Sequence, residues 1–342
     1  MISLIDVISS VDAEGKPIGH GLKALRDLKR VISKPVQILA GREYLDTLGI
    51  KECALPYSRK TGEERHIGAK VLINYLYSLF MSKGSTLVYI ITNEPLLWAI
   101  ALFKGKRNII IVTYENWNIY IKNNLQHKLI RQFLVKRGLS RVDGYIVTNR
   151  TYVPDGKFVR VPDYYCTDEI EELGRREKVF GCACLGEMRY GKDVCGLAKI
   201  LGKTDIPLLI AGSFQSKQLY YATMRYQSKN IKIVNQNLSY DDYMMYLASY
   251  KYVVLPYDAK CYDGRTSGVL LESIFVGAIP IAPKALLHQN GISGLGYTRL
   301  SEIEELIRAY ENGEIVVSNN LNQFRYEYVR RKIQHFIQKI NL

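Results

Sequence analysis

The sequence predicts an α/β protein made of two doubly wound domains, and three observations carry that prediction. At 342 residues the chain is long for one hydrophobic core and suits two. Short apolar runs alternate with amphipathic stretches, the pattern of parallel sheets covered by helices on both faces. The alternation runs once before residue 165 and again after residue 178, so it describes two sheets.

In the first series strands are expected at "SLIDVIS" (3–9), "VQILA" (36–40), "LVYIIT" (87–92), "NIIIVT" (108–113) and "GYIVTN" (144–149). Each run is rich in β-branched residues and too short for a helix. Helical patterns near 20–30, 64–82, 95–104 and 119–138 fill the gaps. The polar, acidic "CTDEIEELGRREK" (166–178) reads as the junction. Strands resume at "KVFGCACLG" (178–186), "PLLIAGS" (207–213), "NIKIVN" (230–235), "YKYVVLP" (250–256) and "AIPIAP" (278–283). The final pattern, "NQFRYEYVRRKIQHFIQKI" (322–340), reads as one long helix. The expected domains are therefore 1–165, with 322–342 packing back on it, and 166–321.

Forty-seven per cent hydrophobic and 23% charged residues describe a globular chain, not a disordered or fibrous one. The net charge of +14 is unevenly placed: residues 1–165 carry 25 Lys/Arg against 14 Asp/Glu, the remainder 22 against 19. The first half is expected to face something anionic. Nucleic acid is disfavoured, because the aromatics are spread along the chain and match no RNA-binding module. The six cysteines lack zinc-type spacing and read as reduced thiols. "MISLIDVISSVDAEGK" has no basic leader region, and no apolar run approaches the ~18 residues of a membrane span. The expected location is the cytoplasm, peripheral at the inner face of a membrane.

That surface is assigned to "IYIKNNLQHKLIRQFLVKRGLSR" (119–141), which carries six cations and no acid. Lys128, Arg131, Lys136 and Arg137 are expected to face solvent and meet anionic lipid. The apolar face of the same helix reads equally as domain core.

The chemistry-bearing stretch is "YDGRTSGVLLESIFVGAIPIAP" (262–283). Arg265, Thr266, Ser267 and Gly268 open a helix after a strand, where a doubly wound domain receives ligands. Amides of Ser267, Gly268 and Val269, with the helix dipole, favour an anion, and Arg265 adds a fork matched to phosphate. Glu272 is a lone carboxylate in an apolar helix, needs a partner, and lies at the reach of a ribose diol. The plainer reading makes Thr266 a helix cap and Glu272 a surface residue. "CLGEMRYGKD" (184–193) places Arg189 and Lys192 in a glycine-bearing loop able to close on the same diphosphate.

The order "LGEMRYGK", "LLIAGS", "NIKIVNQNLSYDDYMMYLASYKYVVLPY", "RTSGVLLESIFVGAIPIAP" resembles the nucleotide-sugar domain of GT-B glycosyltransferases, especially retaining family 4. The resemblance covers roughly 178–285. It implies two Rossmann-like domains across a cleft, with the first binding the acceptor. It implies a nucleotide sugar as donor substrate and no separate cofactor; no metal is expected, because clusters such as D-x-D are missing at the strand ends and cations replace them. Donor-binding roles carry over to Arg189, Lys192, Ser267, Gly268, Val269 and Glu272. The chain departs from the family's paired glutamates, since Gly264 stands eight positions before Glu272, flanked by Asp263 and Arg265.

In the first half "GHGLKA" (19–24) fits G-x-G-x-x-A. The resemblance makes its loop one that closes over donor phosphates, with Gly19, His20 and Gly21 lining the cleft. His20 reads as a general base or as a plain helix-start residue. "IIIVTYENWN" (109–118) sets Glu115 at a strand end. There it could deprotonate an acceptor hydroxyl, with Trp117 stacking on a sugar, or simply cap a loop. The expected activity is sugar transfer to a hydroxyl of a lipid-linked or surface-glycan precursor. A sugar-nucleotide epimerase would need several cleft acids, and residues 90–120 offer only Glu94 and Glu115. A non-catalytic glycosyltransferase-like subunit is the third reading.

Overall fold

The computed structural model describes all residues except 18–19, 33–34, 61–65, 259–266 and 341–342, and only the backbone of His20. Gly19, Arg265, Thr266 and the His20 side chain, all expected at the site, therefore lie outside the described residues. Internal contacts divide the chain into two units, Met1–Pro162 with Tyr326–Leu342, and Asp163–Arg325.

The first unit runs β1 (Ile2–Ile5), β2 (Ser10–Val11), α1 (His20–Val31), β3 (Val36–Leu39), α2 (Arg42–Thr47), β4 (Arg59–Lys60) and α3 (Ile67–Met81). It continues β5 (Thr86–Tyr89), α4 (Glu94–Phe103), β6 (Asn108–Thr113), α5 (Trp117–Asn124), α6 (Leu129–Ser140), β7 (Gly144–Val147) and β8 (Phe158–Arg160). Its main sheet has the order β3-β1-β5-β6-β7-β8 with every pairing parallel. Residues of β1, β5 and β7 are buried throughout, as strands covered on both faces must be.

The second unit runs α7 (Asp168–Gly174), β9 (Val179–Leu185), α8 (Val194–Leu201), β10 (Leu208–Gly212), α9 (Lys217–Met224), β11 (Ile231–Asn235) and α10 (Tyr240–Ser249). There follow β12 (Tyr250–Val254), α11 (Gly268–Phe275), β13 (Ile279–Pro283), α12 (Lys284–Asn290), β14 (Leu295–Tyr297) and α13 (Ile303–Glu311). Its sheet is again wholly parallel, in the order β11-β10-β9-β12-β13-β14. Alternate residues serve opposite faces: Cys182 and Cys184 join the core under α8 and α13, Ala183 and Leu185 the core under α10 and α11. The last helix, α14 (Tyr326–Ile340), belongs to the first unit. Its buried stripe Val329, Ile333, Phe336, Ile337 and Ile340 follows helical spacing. Tyr326 Oη donates to Asp27 on α1 at 2.9 Å.

All ten expected strands are present. The edge strands β8 and β14 were not anticipated, being three residues each and too short to show alternation. The helix expected over 119–138 is instead two, α5 and α6. Asn123 and Asn124 are weak helix formers, and Leu125, wholly buried, draws the chain into the core before Lys128 starts again. Gly138 lets α6 lie against α4, since a Cβ there would overlap the Leu97 carbonyl.

Candidate functional site

In the second sheet, connections leave β9 in one direction and β12 in the other, so the switch point falls between these two neighbours. Ligands of open α/β sheets enter at such a point, outside the carboxyl ends of the strands. The loop after β9 carries Arg189 and Lys192. A turn closes it, with Lys192 N donating to Arg189 O at 3.0 Å. It is zipped to the segment after β12 by Asp193 N to Pro256 O at 2.8 Å and Asp258 N to Gly191 O at 2.9 Å.

This arrangement buries Lys192 at 7% exposure. Its Nζ donates to Leu185 O at 3.2 Å and lies 5.6 Å from the Tyr257 ring centroid. Among the described residues it forms no ion pair. Burial holds its pKa below the ordinary lysine value, with Cys184 opposing and Arg189 reinforcing the shift. Arg189 is half-exposed, 3.9 Å from Glu187. A recess of about 530 Å³ opens beside the loop, lined in part by Arg189, Lys192, Tyr257, Pro283 and Tyr297.

The amino end of α11 stands after β12, at the same sheet edge. Ser267 is its cap: the buried Ser267 Oγ accepts from Leu270 N at 3.3 Å. The amides of Gly268 and Val269 precede this capped position and have no intrahelical partner. A Cβ on Gly268 would stand 2.5 Å from Tyr164 Oη, so a larger residue there would have to push the Tyr164 ring aside. Glu272 is buried, and the partner it required is Tyr243 of α10, whose Oη donates to Glu272 Oε2 at 2.7 Å. Burial and the Glu272 carboxylate hold the Tyr243 hydroxyl protonated, well above its ordinary range. The sequence reading missed Tyr243, because an aromatic in an amphipathic helix reads as core.

In the first unit, Glu115 follows β6 and is half-buried. Trp117 is no stacking platform. It is 2% exposed, and its Nε1 donates to Thr113 Oγ1 at 3.0 Å, so it belongs to the core. Gly21 lies in the first turn of α1, where a Cβ would come within 2.8 Å of Asp6 Oδ2. Asp6 was also missed. It sits at the carboxyl end of β1, 1% exposed, with Oδ2 lacking a hydrogen-bond partner among the described residues.

Two of the four cations expected to face solvent are tied to α4. Arg131 clasps the buried Glu94 through Nε to Oε1 at 2.6 Å and Nη2 to Oε2 at 2.7 Å, and Tyr120 Oη joins the latter oxygen at 2.9 Å. Arg137, though exposed, donates from Nε to Ala101 O at 3.2 Å. Lys128 and Lys136 are exposed. Among the described residues no helix is long and apolar enough to cross a membrane.

Two parallel doubly wound units in one chain define a protein of the GT-B fold. Trehalose-phosphate synthase from Burkholderia xenovorans, solved with glucose-6-phosphate, superposes with a TM-score of 0.65 at 9% identity over 100% of both chains. Sucrose-phosphate synthase from Thermosynechococcus elongatus gives 0.59 at 12% identity, over 99% of this chain and 96% of that one. UDP-GlcNAc 2-epimerase from Neisseria meningitidis, bound to UDP-GlcNAc, gives 0.59 at 10% identity, over 99% and 100%. Neither protein-family models nor curated proteins yield a match.

Proposed function

We propose that this chain is a glycosyltransferase that takes a sugar from a nucleotide-diphosphate donor and passes it to a hydroxyl of a lipid-linked or surface-glycan precursor. The observation that carries this reading is Lys192, a buried ammonium at a switch point whose described partners are a carbonyl and a ring face. A charge so placed is stabilised when diphosphate oxygens arrive. Arg189 and the first-turn amides of α11 add donors to the same anion, while Glu272, oriented by Tyr243, takes the ribose hydroxyls.

During transfer the bond from the anomeric carbon to the diphosphate breaks, and the charge developing on the leaving oxygen falls on Lys192 and Arg189. The acceptor oxygen forms the new bond and releases its proton, for which Glu115 is the first candidate base and His20 the second. Retention at the anomeric carbon follows the family 4 resemblance. The proposal assigns charge neutralisation to side chains and asks nothing of a metal.

The epimerase fold relatives prompt the rival reading, and Glu94 weighs against it. Of the two acids in 90–120, Glu94 is consumed by Arg131 and Tyr120, which leaves Glu115 alone. Docking on an anionic membrane is supported by α6, where Leu129, Ile130 and Phe133 are 74%, 77% and 59% exposed beside Lys128 and Lys136. Incubation of the pure protein with a panel of nucleotide sugars tests the function. Slow release of nucleoside diphosphate, lost in Lys192→Ala, supports it; a C2-epimerised donor, or no turnover of any donor, refutes it.

A further inference from the structure

Three cations of the first unit gather where β7 and β8 end. Arg160 closes β8 in register with Val147, the last residue of β7, and Arg150 follows three positions beyond that strand. Lys332 arrives from α14, its Nζ donating to Arg160 O at 2.8 Å. Arg160 Nη2 donates to Tyr152 O at 2.7 Å, while its Nε is buried with no hydrogen-bond partner among the described residues. Neither Arg160 nor Lys332 forms an ion pair among the described residues. The three charges act on one another. Partial desolvation, then Arg160 and Arg150, lower the Lys332 pKa; desolvation, then Arg160, lower that of Arg150.

Arg160 and Lys332 are half-buried and Arg150 is exposed; like charges so gathered repel, and an anion placed among them converts the repulsion to attraction. Two guanidinium groups and an ammonium match the three oxygens of a phosphate group. The cluster also lies at the carboxyl edge of a parallel sheet, the edge that receives ligands and that carries Glu115 two strands away from β8.

We propose that Arg160, Lys332 and Arg150 form a phosphate-binding site that holds a phosphate group borne by the acceptor. The inference rests on the glycosyltransferase reading and names the acceptor's chemistry, a phosphate ester carried either by a soluble sugar or by a lipid.

Calorimetry of the full chain with glucose 6-phosphate, and with glucose as control, probes the soluble source. Sedimentation with phosphatidylcholine vesicles, with and without phosphatidic acid, probes the lipid source. Binding of one phosphate probe is expected, together with a tenfold or greater loss in Arg160→Gln and in Lys332→Gln and recovery in Lys332→Arg. Lys332→Gln keeps the test sound should loss of the Tyr152 contact unfold the Arg160 variant. UDP affinity, measured in the same preparations, should stay unchanged. Binding of neither probe, or equal binding by wild type and Lys332→Gln, overturns the phosphate site. Failure of UDP to bind the wild type counts against the glycosyltransferase reading instead, so the two failures are distinct.

Discussion

Replacing Asp6 by Asn should stabilise the protein at neutral pH, against the usual cost of altering a buried polar residue. Asp6 is 1% exposed; its Oδ1 accepts from Ile8 N at a long 3.4 Å, and its Oδ2 has no hydrogen-bond partner among the described residues. Burial outweighs the Ile8 amide and the Ser9 hydroxyl and pushes the carboxyl from an ordinary 3.8 up to about 6. The native chain therefore keeps this proton to a higher pH than the unfolded chain does. The stabilisation from the protonated carboxyl is complete below pH 3.8 and is lost as pH rises through about 6. At about 1.4 kcal/mol per pH unit of displacement, ionisation at pH 7.5 costs about 3 kcal/mol. Asn has the same shape and stays neutral, so Asp6→Asn should gain up to about 3 kcal/mol at pH 7.5, and the gain should shrink towards pH 5. Urea unfolding followed by circular dichroism at several pH values between 5 and 8 reads this directly. A variant no more stable than wild type at pH 7.5, or a difference that does not change with pH, would refute the reasoning. The Asp6 carboxylate would then be a welcome charge at the start of α1.

Lys192→Ala and Arg189→Ala should each weaken UDP binding by about 1.5–3 kcal/mol, the worth of a charge-assisted contact, as measured by calorimetry. Binding through Lys192 should also fade at a lower pH than an ordinary lysine allows, because burial depresses the pKa at which its charge is lost. Glu272→Gln should weaken uridine as well as UDP, and Tyr243→Phe should do so to a smaller extent; a loss confined to UDP would place Glu272 on the phosphates. Arg131→Gln leaves the buried Glu94 without its fork and should cost about 1.5–3 kcal/mol in urea unfolding. Lys128→Gln with Lys136→Gln should reduce sedimentation with acidic vesicles at low salt while leaving the unfolding midpoint in place.

The fold was legible because buried parallel strands are continuous apolar runs, and a run such as "LLIAG" reports its own burial. Side-chain pairing was not legible, because it joins elements distant in the chain. Glu272 announced that it needed a partner, yet Tyr243 lies 29 residues away on another helix. Arg131 looked like one more cation on a basic face until α4 placed Glu94, 37 residues back, beneath it. Trp117 failed for the opposite reason. Its position after a strand end suggested a cleft, but the first turn of α5 folds its ring back onto Thr113, four residues earlier.

The acids of the first unit narrow the choice of a transfer base. Glu94 is held by two charge-assisted bonds and a tyrosine hydroxyl, so any proton it accepted would first have to displace a guanidinium. Asp6 keeps its own proton up to about pH 6 and lies under α1 at 1% exposure, so an acceptor hydroxyl reaches it only if the chain around Gly21 moves. Glu115 is half-buried at the carboxyl end of β6, and among the described residues no hydrogen bond occupies its carboxylate. A base at Glu115 should therefore leave turnover intact in Asp6→Asn and abolish it in Glu115→Gln with UDP affinity unchanged. Loss of turnover in Asp6→Asn without loss of stability would transfer the role to Asp6.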